Sequence, residues 1–155
     1  MLVAPYYGVT YQWYYGLPPE TWNTIAGWLF SYIRRPTSCI KINDKSARGK
    51  YYMYGTLPMR GVRQLMDLGK QARQEEVLGK VTCPVLHVHS RGDDAACPKA
   101  ADRAFQAIGS TEKQQLWVTR SNHVLLWDFD KEEVIVAVEG FLAGPDGKAP
   151  SGDAE

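Results

Sequence analysis

One stretch constrains the fold of this chain more than any other. Val81-Thr82-Cys83-Pro84 leads into Val85-Leu86-His87-Val88-His89, a β-rich run whose proline stands at its entrance, where a strand tolerates one. It ends in Ser90-Arg91-Gly92-Asp93-Asp94, a turn composition. Pro98 opens a helix with Ala101, Phe105 and Ile108 on its buried face and Gly109 closing it. Gln115-Leu116-Trp117-Val118 reads as a further strand, and Thr119-Arg120-Ser121-Asn122-His123 as a loop. Asp130 and Glu133 then form a capping box, followed by Val134, Val138 and Phe141 at i, i+4 and i+7. Strands alternating with helices imply βαβ units, and βαβ units imply a parallel sheet.

The earlier half is different. Leu2-Val3-Ala4 is a short apolar run that stops at Pro5, which fits a buried parallel strand. Aromatic residues then crowd the chain from Tyr6 to Tyr54. Pro18-Pro19-Glu20 predicts a helix start. That helix is expected to reach about Arg34, ahead of Pro36, with Trp22, Ile25, Trp28, Leu29 and Tyr32 as an apolar stripe. Residues 36–55 read as irregular and polar. A second helix begins near Pro58, with Val62, Leu65, Met66 and Ala72 on one face. After Leu142 the composition predicts a disordered tail.

Bulk properties exclude several classes. A length of 155 residues fits one domain. A net charge of +1 offers no steering field for nucleic acid. Cys39, Cys83 and Cys97 are odd in number and lack C-x-x-C spacing, which favours a reducing compartment. The first residues lack a basic n-region, and no window approaches a membrane span, so a cytoplasmic location is expected by default.

Chemistry in open α/β sheets sits at the carboxyl ends of the strands. Two such ends carry ionisable groups here: Asp93-Asp94 after one strand and His123 after the next. A carboxylate facing an imidazole is the orienting half of a nucleophilic triad. The acid fixes the tautomer and stabilises the imidazolium, and the histidine takes the nucleophile's proton. His87 and His89, an H-x-H on one strand face, could instead ligate a metal together with Asp93 and His123, as in a metal-dependent hydrolase.

The block from Cys83 to Asp93, followed by Pro98, resembles the "PvLvihGxxDxxvP" segment of α/β-hydrolases. Ser121-Asn122-His123-Val124 with Asp128 resembles the "S-G-H-v…D" segment of microbial carboxylesterases and monoacylglycerol lipases, and Phe141-Leu142 their closing "v..FL". By that resemblance Asp93 takes the acid's place and His123 the base's. Counting forward from Pro84 selects Asp93; counting back from Pro98 selects Asp94, which stays the alternative acid. Asp128 is expected to brace the loop or cap the last helix.

The resemblance implies an α/β fold made of the last parallel strands and helices of the hydrolase sheet. Residues 1–5 and 58–143 would form this partial core, residues 6–57 a mostly helical cap, and residues 144–155 the tail. It implies a serine carboxylic ester hydrolase acting on a small ester or acyl substrate, without cofactor or metal. The G-x-S-x-G elbow is absent from the sequence. The nucleophile is therefore expected upstream of Met1, and the chain alone is expected to be close to inert. The alternative is a non-catalytic half-domain that self-associates, or complements a partner, through its exposed strand edge.

Overall fold

The computed structural model describes residues 1–10 and 19–144. Tyr11, Trp13, Tyr14 and Tyr15 of the aromatic stretch, and the expected tail from residue 145 onward, lie outside the described residues. In chain order the elements are β1 (Leu2–Val3), α1 (Pro19–Leu29), β2 (Tyr32–Arg34), α2 (Lys45–Arg48), β3 (Thr56–Pro58), α3 (Met59–Ala72) and α4 (Glu75–Leu78). They continue with β4 (Val85–Ser90), α5 (Pro98–Ala107), β5 (Lys113–Val118) and α6 (Lys131–Ala143).

β1, β4 and β5 form a parallel sheet in that order, with Leu2 beside His87 and His87 beside Gln115. The expectation of a parallel α/β sheet therefore holds. β4 is its central strand, and all six of its residues are buried. Side chains alternate across a strand, so β4 serves two layers. Val85 packs with Ala101, Ala104, Phe105 and Ile108 of the α5 side, while Leu86 and Val88 pack with Val118, Leu125 and Val134. β1 is half-buried rather than fully buried. At its carboxyl end Ala4 takes a φ of 45° while its N–H donates to Val88 O at 2.8 Å, turning the chain off the sheet.

The first helix differs from expectation. It ends at Leu29, because Tyr32, Ile33 and Arg34 pair antiparallel with Pro58, Leu57 and Thr56. β-branched and aromatic residues favour that extended pairing, and nothing within the segment 22–34 reveals the partner strand. The expected apolar stripe is also not the buried face. Trp28 is 89% exposed, whereas Asn23 is buried. α3 matches its expected start, yet its buried residues are Met59 and Gly69 rather than Leu65. Gly69 is required there because a Cβ would sit 2.7 Å from Cε1 of Tyr6. Residues 36–55 are mostly irregular, but include one 3-10 turn and α2, whose N-terminus Asp44 caps by accepting from Ser46 N at 2.8 Å.

Candidate functional site

The carboxyl ends of β4 and β5 meet at one rim of the sheet. β4 runs into the turn 91–97, which is fixed from two directions. Thr10 Oγ1 donates to Asp93 O at 2.9 Å, Thr10 N to Ala95 O at 3.1 Å, and Cys97 N to Gly8 O at 2.9 Å. Within the turn, Oδ1 of Asp93 accepts from the N–H groups of Ala95 and Ala96, each at 2.8 Å. This is an Asx-type arrangement: the carboxylate orders the backbone that carries it.

The loop after β5 is braced just as closely. Ser121 N donates to Oδ2 of Asp130 at 2.8 Å, and Asp130 N donates back to Ser121 Oγ at 2.8 Å. Arg120 adds its N–H at 2.9 Å and its Nε–H at 2.7 Å to the same carboxylate. Burial pulls the Asp130 carboxyl upward, but the Arg120 and Ser121 hydrogen bonds outweigh it and hold the pKa below the usual carboxylate range. The expected capping box is thus corrected: the Asp130 side chain makes no cap bond to α6, because it is committed to the loop.

Asp128 braces the same loop. Its carboxylate accepts from the backbone N–H of Asn43, Asp44, Asn122 and Phe129 at 2.7 to 2.9 Å. Asn122 then joins the two strand ends directly, its Oδ1 accepting from His123 N at 2.8 Å and from Asp94 N at 3.2 Å. Ser90 does the same one layer deeper, accepting from Gly92 N and donating to Ser121 O. Sequence reading singled out neither Asn122 nor Ser90. The one signal was Asn122 standing where the resembled motif has glycine.

These braces bring His123 Nδ1 to 2.8 Å from Oδ2 of Asp93. The Asp93 side chain is fully buried and the His123 side chain is 34% exposed. The imidazole thus has one nitrogen on a buried carboxylate, which leaves the other to face what approaches the rim. Asp94, the alternative acid, is engaged elsewhere, its Oδ2 lying 3.0 Å from Nζ of Lys41.

His87 and His89 are fully buried on the same face of β4, their rings stacked with centroids 6.1 Å apart. Burial pushes the His87 pKa down to about 4, and the neighbouring His89 adds to the shift. Among the described residues, no group of three or more His, Cys, Asp or Glu is placed to hold a metal ion. The H-x-H pair is packed between Tyr7, Phe105 and Trp117. Among the described residues, no helix is long and apolar enough to cross a membrane.

Comparison with known proteins agrees with this architecture. The sequence is 34% identical over 94 residues to a thermostable monoacylglycerol lipase of Bacillus sp. (strain H-257), a match covering 61% of this chain and 37% of the relative. One similar solved structure comes from work on LipS and LipT, two metagenome-derived lipolytic enzymes. It has a TM-score of 0.70 and 26% identity, over 88% of this chain and 52% of that one. The monoacylglycerol lipase of Paleococcus ferrophilus gives a TM-score of 0.70 at 14% identity, over 88% and 55%. A soluble variant of the Saccharomyces cerevisiae monoglyceride lipase gives 0.64 at 15%, over 77% and 46%. The last two likenesses speak to the fold alone. No family model matches the chain. The chain spans between 37% and 55% of the length of these proteins.

Proposed function

We propose, from the part of the α/β-hydrolase fold that this chain carries, that Asp93 and His123 are the acid and base of a serine carboxylic ester hydrolase. The observation that carries the reading is the 2.8 Å contact between His123 Nδ1 and the buried Asp93 carboxylate. The Nδ1–H donates to Asp93, so Nε2 carries the lone pair and is the atom that accepts a proton. As a serine Oγ attacks an ester carbonyl, its proton passes to Nε2, and the imidazolium is stabilised by Asp93. Collapse of the tetrahedral species expels the alcohol, which takes the proton from Nε2. Water then attacks the acyl-serine, giving its proton to Nε2; collapse breaks the acyl–Oγ bond, the serine takes that proton back, and the carboxylic acid product leaves.

The nucleophile is not among residues 1–155 in elbow form, since no serine stands in a G-x-S-x-G string. It is supplied by sequence preceding Met1 or by another chain. Residues 6–57 act as a cap. The apolar cleft between α1 and α3, lined by Asn23, Ile25, Trp28, Leu29, Met59 and Arg63, is suited to a hydrocarbon group. The substrate class is a carboxylic ester, with monoacylglycerols the first to assay.

The test joins the chain to an elbow-bearing N-terminal half and follows hydrolysis of a short-chain nitrophenyl ester. Turnover that disappears in both His123→Ala and Asp93→Ala supports the reading. Turnover indifferent to His123 ends it. The coding DNA before the Met1 codon gives an independent check: a continuous frame with strand, G-x-S-x-G and helix supports an upstream nucleophile, and an in-frame stop contradicts it.

A second reading rests on β1. It stands at one end of the three-stranded order, with no further strand on its outer edge among the described residues. An unpaired edge invites strand addition, so the chain would self-associate or complement a partner there. Sedimentation decides, and a well-folded monomer counts against self-association.

A further inference from the structure

His89 lies one turn from Asp93 and has no place in the two-residue mechanism. It is fully buried on β4, edge-on to Trp117 with ring centroids 5.6 Å apart. Its Nε2 stands 3.3 Å from Ala96 O and 3.5 Å from Oδ2 of Asp93. Both neighbours are acceptors, so the hydrogen belongs on Nε2. The other tautomer would bury an Nδ1–H that has no partner and turn a lone pair toward two oxygens. Burial also pushes the His89 pKa down, against the pull of the Asp93 charge, which keeps the ring neutral.

We infer that His89 is a positioning residue for the Asp93–His123 pair, its buried Nε2–H bridging Ala96 O and the same carboxylate oxygen that His123 uses. The inference rests on the reading of that pair as acid and base. Oδ1 of Asp93 is already fixed by two backbone N–H groups of its own turn. Beside the 2.8 Å contact from His123, His89 gives Oδ2 a second and longer polar contact at 3.5 Å, and without it His123 alone faces that oxygen. With only the mobile His123 ring on Oδ2, the carboxylate has more freedom about χ2, and the oxygen that sets the His123 tautomer moves with it. The turn backbone is tied independently to residues 8–10. The effect of losing His89 therefore falls on the carboxylate rather than on the path of the chain.

The experiment is ¹⁵N NMR of the histidine rings in the full chain. In the wild-type protein, His89 should show a protonated Nε2 and a bare Nδ1, and His123 a protonated Nδ1 exchanging slowly with water. A protonated Nδ1 at His89 overturns the inference without any variant. His89→Phe should speed exchange of the His123 Nδ1 proton about tenfold, the equivalent of one hydrogen bond to a charged group. His89→Gln, which returns an N–H donor near the same place, should restore it. If Asp93→Ala abolishes the protected Nδ1 proton but His89→Phe leaves it unchanged, His89 only fills space. If Asp93→Ala changes nothing at His123, the acid–base reading itself has failed. The thermal melt of each variant reports folding, and the wild-type tautomer measurement stands should His89→Phe not fold.

Discussion

The rim formed by β4 and β5 and the segment that links β1 to β4 are built on opposite terms. At the rim, buried and half-buried polar side chains find partners in each other or in backbone: Asp93, His123, Asn122, Asp128, Asp130, Ser90 and Ser121 form one connected set. In the linking segment Tyr7, Ile40 and Ile42 are buried, but several large apolar groups face outward. Trp28 is 89% exposed, Tyr52 81% and Tyr54 75%. Charge divides along the same line. Residues 4–84 carry eleven Lys and Arg against five Asp and Glu, which leaves seven basic and twelve acidic residues for the rest. The overall +1 is a cancellation between a basic segment and an acidic remainder. The rim is specified internally by directional bonds. The segment leaves aromatic surface exposed, with Tyr52 and Tyr54 packing edge to face on each other rather than into a core.

This contrast makes ranked predictions. The largest concerns catalysis in the elbow-supplied form, where His123→Ala should lower kcat by on the order of 10⁶ and Asp93→Ala by on the order of 10⁴. Stopped assays with the nitrophenyl ester check both. Next comes packing. Leu125→Ala, at a side chain 2% exposed beneath the rim, should cost about 2–5 kcal/mol in urea melts.

A third prediction uses acid. His87 is neutral in the fold, with a pKa of about 4, and ionises near 6.5 when unfolded. Its contribution to stability is complete above pH about 6.5 and is lost as pH falls toward about 4, since only the unfolded chain takes up the proton there. The loss should reach about 3 kcal/mol. His87→Leu should flatten that part of the pH–stability profile, and an unchanged slope would exclude His87 as its source.

Fourth, Asp128→Ala removes an acceptor from four backbone N–H groups and should cost about 2 kcal/mol. Amide exchange should quicken at Asn43 and Asp44 as well as at Asn122, because the carboxylate holds both regions. The smallest effect completes the comparison. Trp28→Ala should change stability by no more than about 0.5 kcal/mol, despite removing the largest side chain type. A loss of several kcal/mol there would show that the segment's aromatics support the fold after all.

Much of the rim was legible because its signals are local. A β-rich run from Val85 to His89, its entrance proline and the turn composition after it put Asp93 and Asp94 at a strand end by counting along one element. The helix Pro98–Ala107 follows from its own start signal and periodicity. Counting forward from Pro84 favoured Asp93 and counting back from Pro98 favoured Asp94, and neither count could show that Asp94 meets Lys41, more than fifty residues away. The end of α1 was misjudged for the same reason: Tyr32–Arg34 becomes a strand only because Thr56–Pro58 lies beside it. Asp130 and Glu133 had the spacing of a capping box, but Arg120 and Ser121 hold the aspartate more strongly than the helix end does. The short helix Glu75–Leu78 carried too little periodicity to stand out.

The grip of Asp128 on the linking segment has a consequence for how such a chain can change over time. It seizes Asn43 and Asp44 by their main-chain amides, a handle every residue but proline offers. The socket is therefore blind to spelling. At these two positions the side chains can change without touching the bonds to Asp128, whereas Thr10 and Lys41 meet the same rim through their side chains. The hold of Asp128 on the segment is thus indifferent to what those two residues are, though not to where their amides lie.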